Sequence, residues 1–315
     1  MKKLLQPVFI LISVCLLLIS CSGNPSDKDT YVVYNGITVE GKDQWLYYAG
    51  DSSIGIYKGL NIYSIGRMQD YLDMFRRLDL ACRDRGKTVV FMAQPNKEIV
   101  YSEHMPDLTI YSERRRADIL FDYLHSRSDI NAIYPLSELT AAKEDYQVYY
   151  AHDTHWNSMG AFIGMQTLYG TLGLPTTDPA SLGPVETAVS GGDLIDLGNL
   201  DPDDYPADVD YQIPYKTDVQ YTRYETKGGN ILFTEVADAE FDSGIAYIGD
   251  SFRTAVIPFV TKDFSRTVFV DLNGLEDPDA LKAICESDII VIAFVERYIP
   301  NIMHAVQTLF SLLTE

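Results

Sequence analysis

The run Thr88-Val89-Val90-Phe91-Met92-Ala93 is apolar at every position after the first. A strand with one wet face alternates in polarity. One that does not alternate is buried on both faces, as in a parallel sheet covered by helices. Similar runs return at Ala246–Ile248, Thr267–Asp271 and Asp288–Ala293, with a shorter one at Ala132–Pro135. Helical periodicity fills the intervals. Ile62, Ile65, Met68, Tyr71, Leu72, Phe75, Leu78 and Leu80 form one face of Asn61–Arg85. Glu113–His125, Leu136–Glu144, Ser158–Leu172, Asp277–Ser287 and Pro300–Leu313 read as further helices. Strands alternating with helices predict an α/β chain with three α/β/α layers around a central parallel sheet. A length of 315 residues suits one large domain over residues 31–315.

Two regions break the pattern. Near the N-terminus, Tyr31–Val39 reads as a strand with a hairpin signal at Asn35-Gly36, and Trp45–Tyr48 as its partner. Residues 174–240 are rich in Gly, Pro and Asp and read as a loop- and β-rich insertion. Its acids Asp201, Asp203, Asp204, Asp208 and Asp210 lack the glycine and closing glutamate of a calcium-binding loop, so they read as a solvated acidic loop.

Residues 1–20 are a separate object. Lys2 and Lys3 precede an apolar stretch, Val8–Ile19, that is short for a membrane span and reads as a signal peptide. Leu18-Ile19-Ser20-Cys21 has the form of a bacterial lipobox, which predicts lipidation of Cys21, with 21–30 as a tether. An ordinary signal peptide with an incidental cysteine is the plainer alternative. Cys82 and Cys285 fall in helical runs and read as buried apolar residues, although export permits a disulfide. The formal charge of −20 argues against nucleic acid and against charge-driven attachment to an anionic membrane, so membrane attachment rests on lipid.

The chemistry-bearing stretches are His152-Asp153-Thr154-His155-Trp156-Asn157 and Gly249-Asp250-Ser251-Phe252. Serine is a weak nucleophile and needs a base, which in turn needs an acid to hold its tautomer. Ser251 is read as nucleophile, His155 as base and Asp153 as orienting acid. In an extended backbone, residues two apart share a face, which would let Asp153 meet His155. A serine past a strand gains backbone N–H donors, so the Ser251 N–H is the first oxyanion candidate, with Asn273-Gly274 as the second. Lys97 and Arg297 end apolar strands and are candidates for binding substrate, with a surface salt bridge as the plain reading of each. Trp156 is a candidate for stacking a sugar, or for packing the helix that follows. With His152, the cluster also admits a metal site.

Taken in order, Gly41-Lys42-Asp43-Gln44-Trp45-Leu46-Tyr47, Gln94-Pro95-Asn96-Lys97, Asp153-Thr154-His155-Trp156-Asn157, Ser190-Gly191-Gly192-Asp193-Leu194, Gly249-Asp250-Ser251-Phe252 and Val295-Glu296-Arg297-Tyr298 resemble motifs of a known family. It is the alginate O-acetyltransferase-like branch of the SGNH hydrolase superfamily, with its DHHW-type relatives. Ordinary members of that superfamily carry the serine early and put two residues between acid and histidine. Here the order is reversed and the spacing is one, as in this branch, which implies a permuted motif order with the same geometry. The resemblance implies serine-dependent O-acetyl transfer to a cell-surface polysaccharide or related glycan, outside the cytoplasm. A polytopic membrane acyltransferase is implied as acetyl donor. No acetyl-CoA motif is apparent and no cofactor is expected. Two other readings use the same residues: a carbohydrate acetylesterase, and a glycan-binding lipoprotein without catalysis.

Overall fold

The structure is a computed structural model and describes residues 29–226 and 230–314. Residues 1–20 and Cys21, the expected signal peptide and lipidation site, lie outside the described residues, as does most of the tether. The strands are β1 (Val33–Tyr34), β2 (Thr38–Glu40), β3 (Leu46–Tyr48), β4 (Thr88–Gln94), β5 (Asn131–Ile133), β6 (Val185–Val189), β7 (Asp208–Gln212), β8 (Thr222–Glu225), β9 (Ile231–Glu235), β10 (Phe241–Gly249), β11 (Phe264–Val270) and β12 (Ile289–Val295).

Seven of these form the central sheet, in the order β5-β4-β12-β10-β11-β9-β8. The first five are mutually parallel, as the unbroken apolar runs require. The last two run antiparallel and close one edge, so the sheet is mixed. Side chains alternate between faces along each strand. Val90, Met92, Tyr247, Val291 and Ala293 face a core shared with the helix Ser158–Leu172. Val89, Phe91, Ala246, Ile248, Ile290 and Ile292 face a second core, covered by the helices Ile65–Arg83, Arg116–His125, Pro278–Glu286 and Ile299–Thr314. Both faces are dry, and the result is the three-layer α/β/α arrangement.

The insertion region supplies two hairpins with different fates. β6 and β7 pair only with each other, and β8–β9 extends the central sheet. Asn35 and Gly36 both have positive φ, and the Ile37 N–H donates to the Tyr34 carbonyl at 3.0 Å, closing the turn between β1 and β2. β3 then pairs with β2. Cys82 and Cys285 are both free. Among the described residues, no helix is long and apolar enough to cross a membrane.

The topology places the site. From β4 the chain moves to β5 at one edge, and from β10 to β11 toward the other. Loops leaving the carboxyl ends of β4, β12 and β10 therefore diverge and leave a crevice, where α/β sheets bind ligands. Asn96-Lys97, Glu296-Arg297 and Asp250-Ser251 all sit at this edge.

Candidate active site

Gly249 ends β10 against β12. A Cβ there would stand 2.4 Å from the Ala293 carbonyl oxygen, so the strand can end this close only with glycine. Asp250 then turns the chain. Its carboxylate accepts the Phe252 N–H at 3.0 Å and the Val295 N–H at 2.8 Å, tying the turn to β12. Burial raises the Asp250 pKa. Ser251 opens a short 3-10 turn, Ser251–Ala255, and is exposed to solvent.

The histidine segment arrives from a different layer. Tyr149 and Trp156 form an antiparallel bridge, Tyr150 N–H donates to the His155 carbonyl, and residues 151–155 bend between them. The segment is thus a closed turn, which corrects the extended backbone expected from the spacing. Asp153 reaches His155 by folding back: its Oδ1 accepts the His155 N–H at 2.9 Å and lies 2.6 Å from His155 Nδ1. The other ring nitrogen, Nε2, lies 2.6 Å from Ser251 Oγ. Asp153, His155 and Ser251 thus form one hydrogen-bonded chain. We assign the proton on Nδ1, facing the carboxylate, which leaves the Nε2 lone pair for the serine hydroxyl.

Burial alone would raise the Asp153 pKa. The hydrogen bond and charge of His155, with the N–H groups of Asp193 and His155, outweigh it and hold the carboxyl at about 2. Asp153 is therefore ionised at neutral pH.

Asp193 was legible only as part of a motif, and its contact is new. Its N–H donates to Asp153 Oδ2 at 2.9 Å. Its carboxylate accepts the Thr154 N–H at 2.7 Å and the Thr154 hydroxyl at 2.6 Å. Gly192 makes this possible, because it has φ +152 and a Cβ there would lie 2.3 Å from the His152 carbonyl oxygen. Asp208 is another residue that the sequence misplaced. It is buried, and its carboxylate accepts the N–H groups of Ala151, His152 and Val209 and the Gln147 side-chain amide. Asp210 holds Ser158 in the same way, whereas Asp201, Asp203 and Asp204 are exposed, as expected.

The residues named for substrate contact are corrected. Lys97 is 2% exposed, and its ammonium donates to the carbonyl oxygens of Tyr150, Ala151 and Asp153 at 3.1, 3.0 and 2.7 Å. It is a strut beneath the histidine turn. Burial lowers its pKa to about 8, against the raising influence of Asp153, Asp208 and Asp193. Trp156 is also enclosed, with its indole N–H donating to the Phe252 carbonyl at 3.0 Å, so it packs rather than stacks a sugar. Arg297 does lie against the site, over the rings of Tyr48, Phe252 and Tyr298, but it is buried among them and braces the turn. Gly274 leaves the oxyanion role, because its N–H is spent on the carbonyl and carboxylate of Asp271. Asn273 sits exposed at the start of that turn.

Asp153, His155 and Asp193 bring three ligand atoms within 4.8 Å of one another, close enough for a cation. Yet His155 Nδ1 points at Asp153, and Asp193 is occupied by Thr154. The arrangement reads as a held imidazole. His152 stands apart, against Asp208.

A family model described as an SGNH hydrolase-like domain, acetyltransferase AlgX, matches residues 38–262. The protein described as "Probable alginate O-acetylase AlgJ" from Pseudomonas syringae pv. tomato is 28% identical over 225 residues, covering 68% of this chain and 53% of its own length. The chain thus spans about half the length of that relative. Among solved structures, a DHHW family protein from Eubacterium siraeum DSM 15702 superposes with TM-score 0.59 at 14% identity, covering 92% of this chain and 98% of its own. PatB1 from Bacillus cereus, solved with a sulfonyl adduct, gives TM-score 0.59 at 15% identity over 81% of this chain and 95% of its own.

Proposed function

The chain belongs to the SGNH hydrolase-like acetyltransferase family of AlgX, and from that membership we propose that it is an extracytoplasmic, serine-dependent O-acetyltransferase of a cell-surface polysaccharide or related glycan. The observation that carries this reading is the continuous chain from Asp153 through His155 to Ser251, with both contacts at 2.6 Å. In the first half-reaction Ser251 Oγ attacks the acetyl carbonyl of a donor and His155 Nε2 takes the hydroxyl proton. The Ser251 N–H is the candidate donor to the developing oxyanion. The proton passes to the donor's leaving group, and acetyl-serine remains. In the second half, a sugar hydroxyl attacks the acetyl carbon and gives its proton to His155, and Ser251 leaves with that proton.

Outside the cytoplasm coenzyme A is not the expected donor, and the resemblance implies that a polytopic membrane acyltransferase supplies the acetyl group. Lipid on Cys21 would hold the enzyme near it. Cys21→Ala should release the protein from membranes or block its processing, and unchanged retention with normal processing would count against the anchor.

Ser251 is exposed, so water also reaches the acyl-serine, which keeps a carbohydrate acetylesterase as the second reading. Product analysis separates the two. With an acetyl ester donor and a panel of oligosaccharides, a transferase yields acetylated sugar, whereas an esterase yields acetate at a rate no acceptor alters.

A further inference from the structure

We infer that Asp193 is a positioning residue of the serine–histidine site, a second acid that fixes the histidine turn and stands as a second counter-charge behind the imidazole. The inference rests on the serine-nucleophile reading above. Three contacts lock Asp193 to the turn: its N–H on Asp153 Oδ2, and its carboxylate on the N–H and hydroxyl of Thr154. Its Oδ2 lies 3.5 Å from His155 Nδ1, behind the closer Asp153 oxygen. One acid can orient a ring about its hydrogen bond. Two acids anchored on neighbouring residues also fix the backbone that carries the ring.

The charged groups facing this pair come from each packed element. Asp153 lies on the turn, Asp193 at the start of the helix Asp193–Gly198, Lys97 beneath, Asp250 at the end of β10, and Arg297 behind Phe252. Burial, then repulsion from Asp153, raises the Asp193 pKa, while the hydrogen bonds from Thr154 and the charge of His155 oppose that rise and favour the ionised carboxylate.

The test is sulfonylation of the full-length protein by an aryl sulfonyl fluoride. Ser251 Oγ bonds to sulfur, the sulfur–fluorine bond breaks, fluoride leaves, and the hydroxyl proton goes to His155 and then to solvent. Labelling needs neither donor nor acceptor. Its rate is read against pH for wild type, Asp193→Asn and Asp196→Asn, an exposed acid on the same helix. Asp193→Asn should label about ten- to a hundredfold more slowly above neutral pH. Its acid limb should also move to lower pH by about one unit, because removing a nearby negative charge makes the imidazolium form less readily. Asp196→Asn should match wild type. A slower Asp193→Asn with an unmoved limb would reduce Asp193 to a structural part, and an unchanged rate and limb would overturn the inference outright. If wild type itself is not labelled at Ser251, the serine-nucleophile reading fails instead. Should Asp193→Asn melt below the assay temperature, Thr154→Val, which removes the hydroxyl anchor of the carboxylate, is read in its place. Slowed labelling is then expected, and labelling at the wild-type rate overturns the inference.

Discussion

At the scale of single residues, the site is a problem of holding one imidazole still. Asp153 does this with one oxygen, which accepts both the backbone N–H and the ring nitrogen of His155. An amide in its place can keep the shape but presents a donor where an acceptor is needed. Asp153→Asn should therefore melt within a few degrees of wild type yet lose turnover by up to about 10⁴-fold, the scale seen when an orienting acid is neutralised. Steady-state kinetics with a chromogenic acetyl ester, beside a thermal melt, check this, and turnover near the wild-type rate would contradict it. The serine, histidine and aspartate that the structure joins were legible as residue types in two short motifs. The contacts of Asp193 and Asp208 were not, because they join segments some tens of residues apart and a lone acidic residue in a polar loop carries no sign of its partner. Burial overturned the reading of Lys97 and, for Trp156, chose packing over sugar stacking. Both sit at places where ligands often bind, and only packing reveals that their polar atoms are already spent.

At the scale of elements, the carboxyl edge of the sheet works through struts. Lys97 starts the short helix Lys97–Val100 after β4 and pins three carbonyl oxygens of the histidine turn. Lys97→Met keeps the length of the side chain but leaves those carbonyls without their donor, at a cost of about 1–3 kcal/mol for each buried group left unpaired. The variant should lose stability in a denaturant titration and lose turnover by at least about tenfold, because the turn that carries His155 loosens. Full turnover in a folded Lys97→Met would show that the strut is dispensable. The strands and helices of this edge were readable in advance because burial on both faces leaves an unmistakable apolar run. The edge strands β8 and β9 were not tied to the sheet beforehand. β8 is exposed along its whole length, so its sequence resembles a loop hairpin.

At the scale of the whole molecule, the acidic balance and the buried carboxyls set the response to pH. Glu296 is fully buried and holds Tyr134 and the Asn96 N–H, and burial raises its pKa to about 7. A carboxyl raised above its unfolded value contributes stability fully present below about 4.5, and that stability is lost as pH rises through about 7. Glu296→Gln removes this dependence. Its melting temperature should change less than wild type's between pH 5 and 7, and an identical pH dependence in both proteins would contradict the assignment. The proposed function stands on Ser251 carrying the acetyl group between donor and acceptor. Intact-mass spectrometry during incubation with an activated acetyl ester tests that directly. One acetyl group should appear on Ser251 of the wild type, leave on addition of an oligosaccharide acceptor, and never form at that position in Ser251→Ala. Acetyl turnover by Ser251→Ala at the wild-type rate would contradict it.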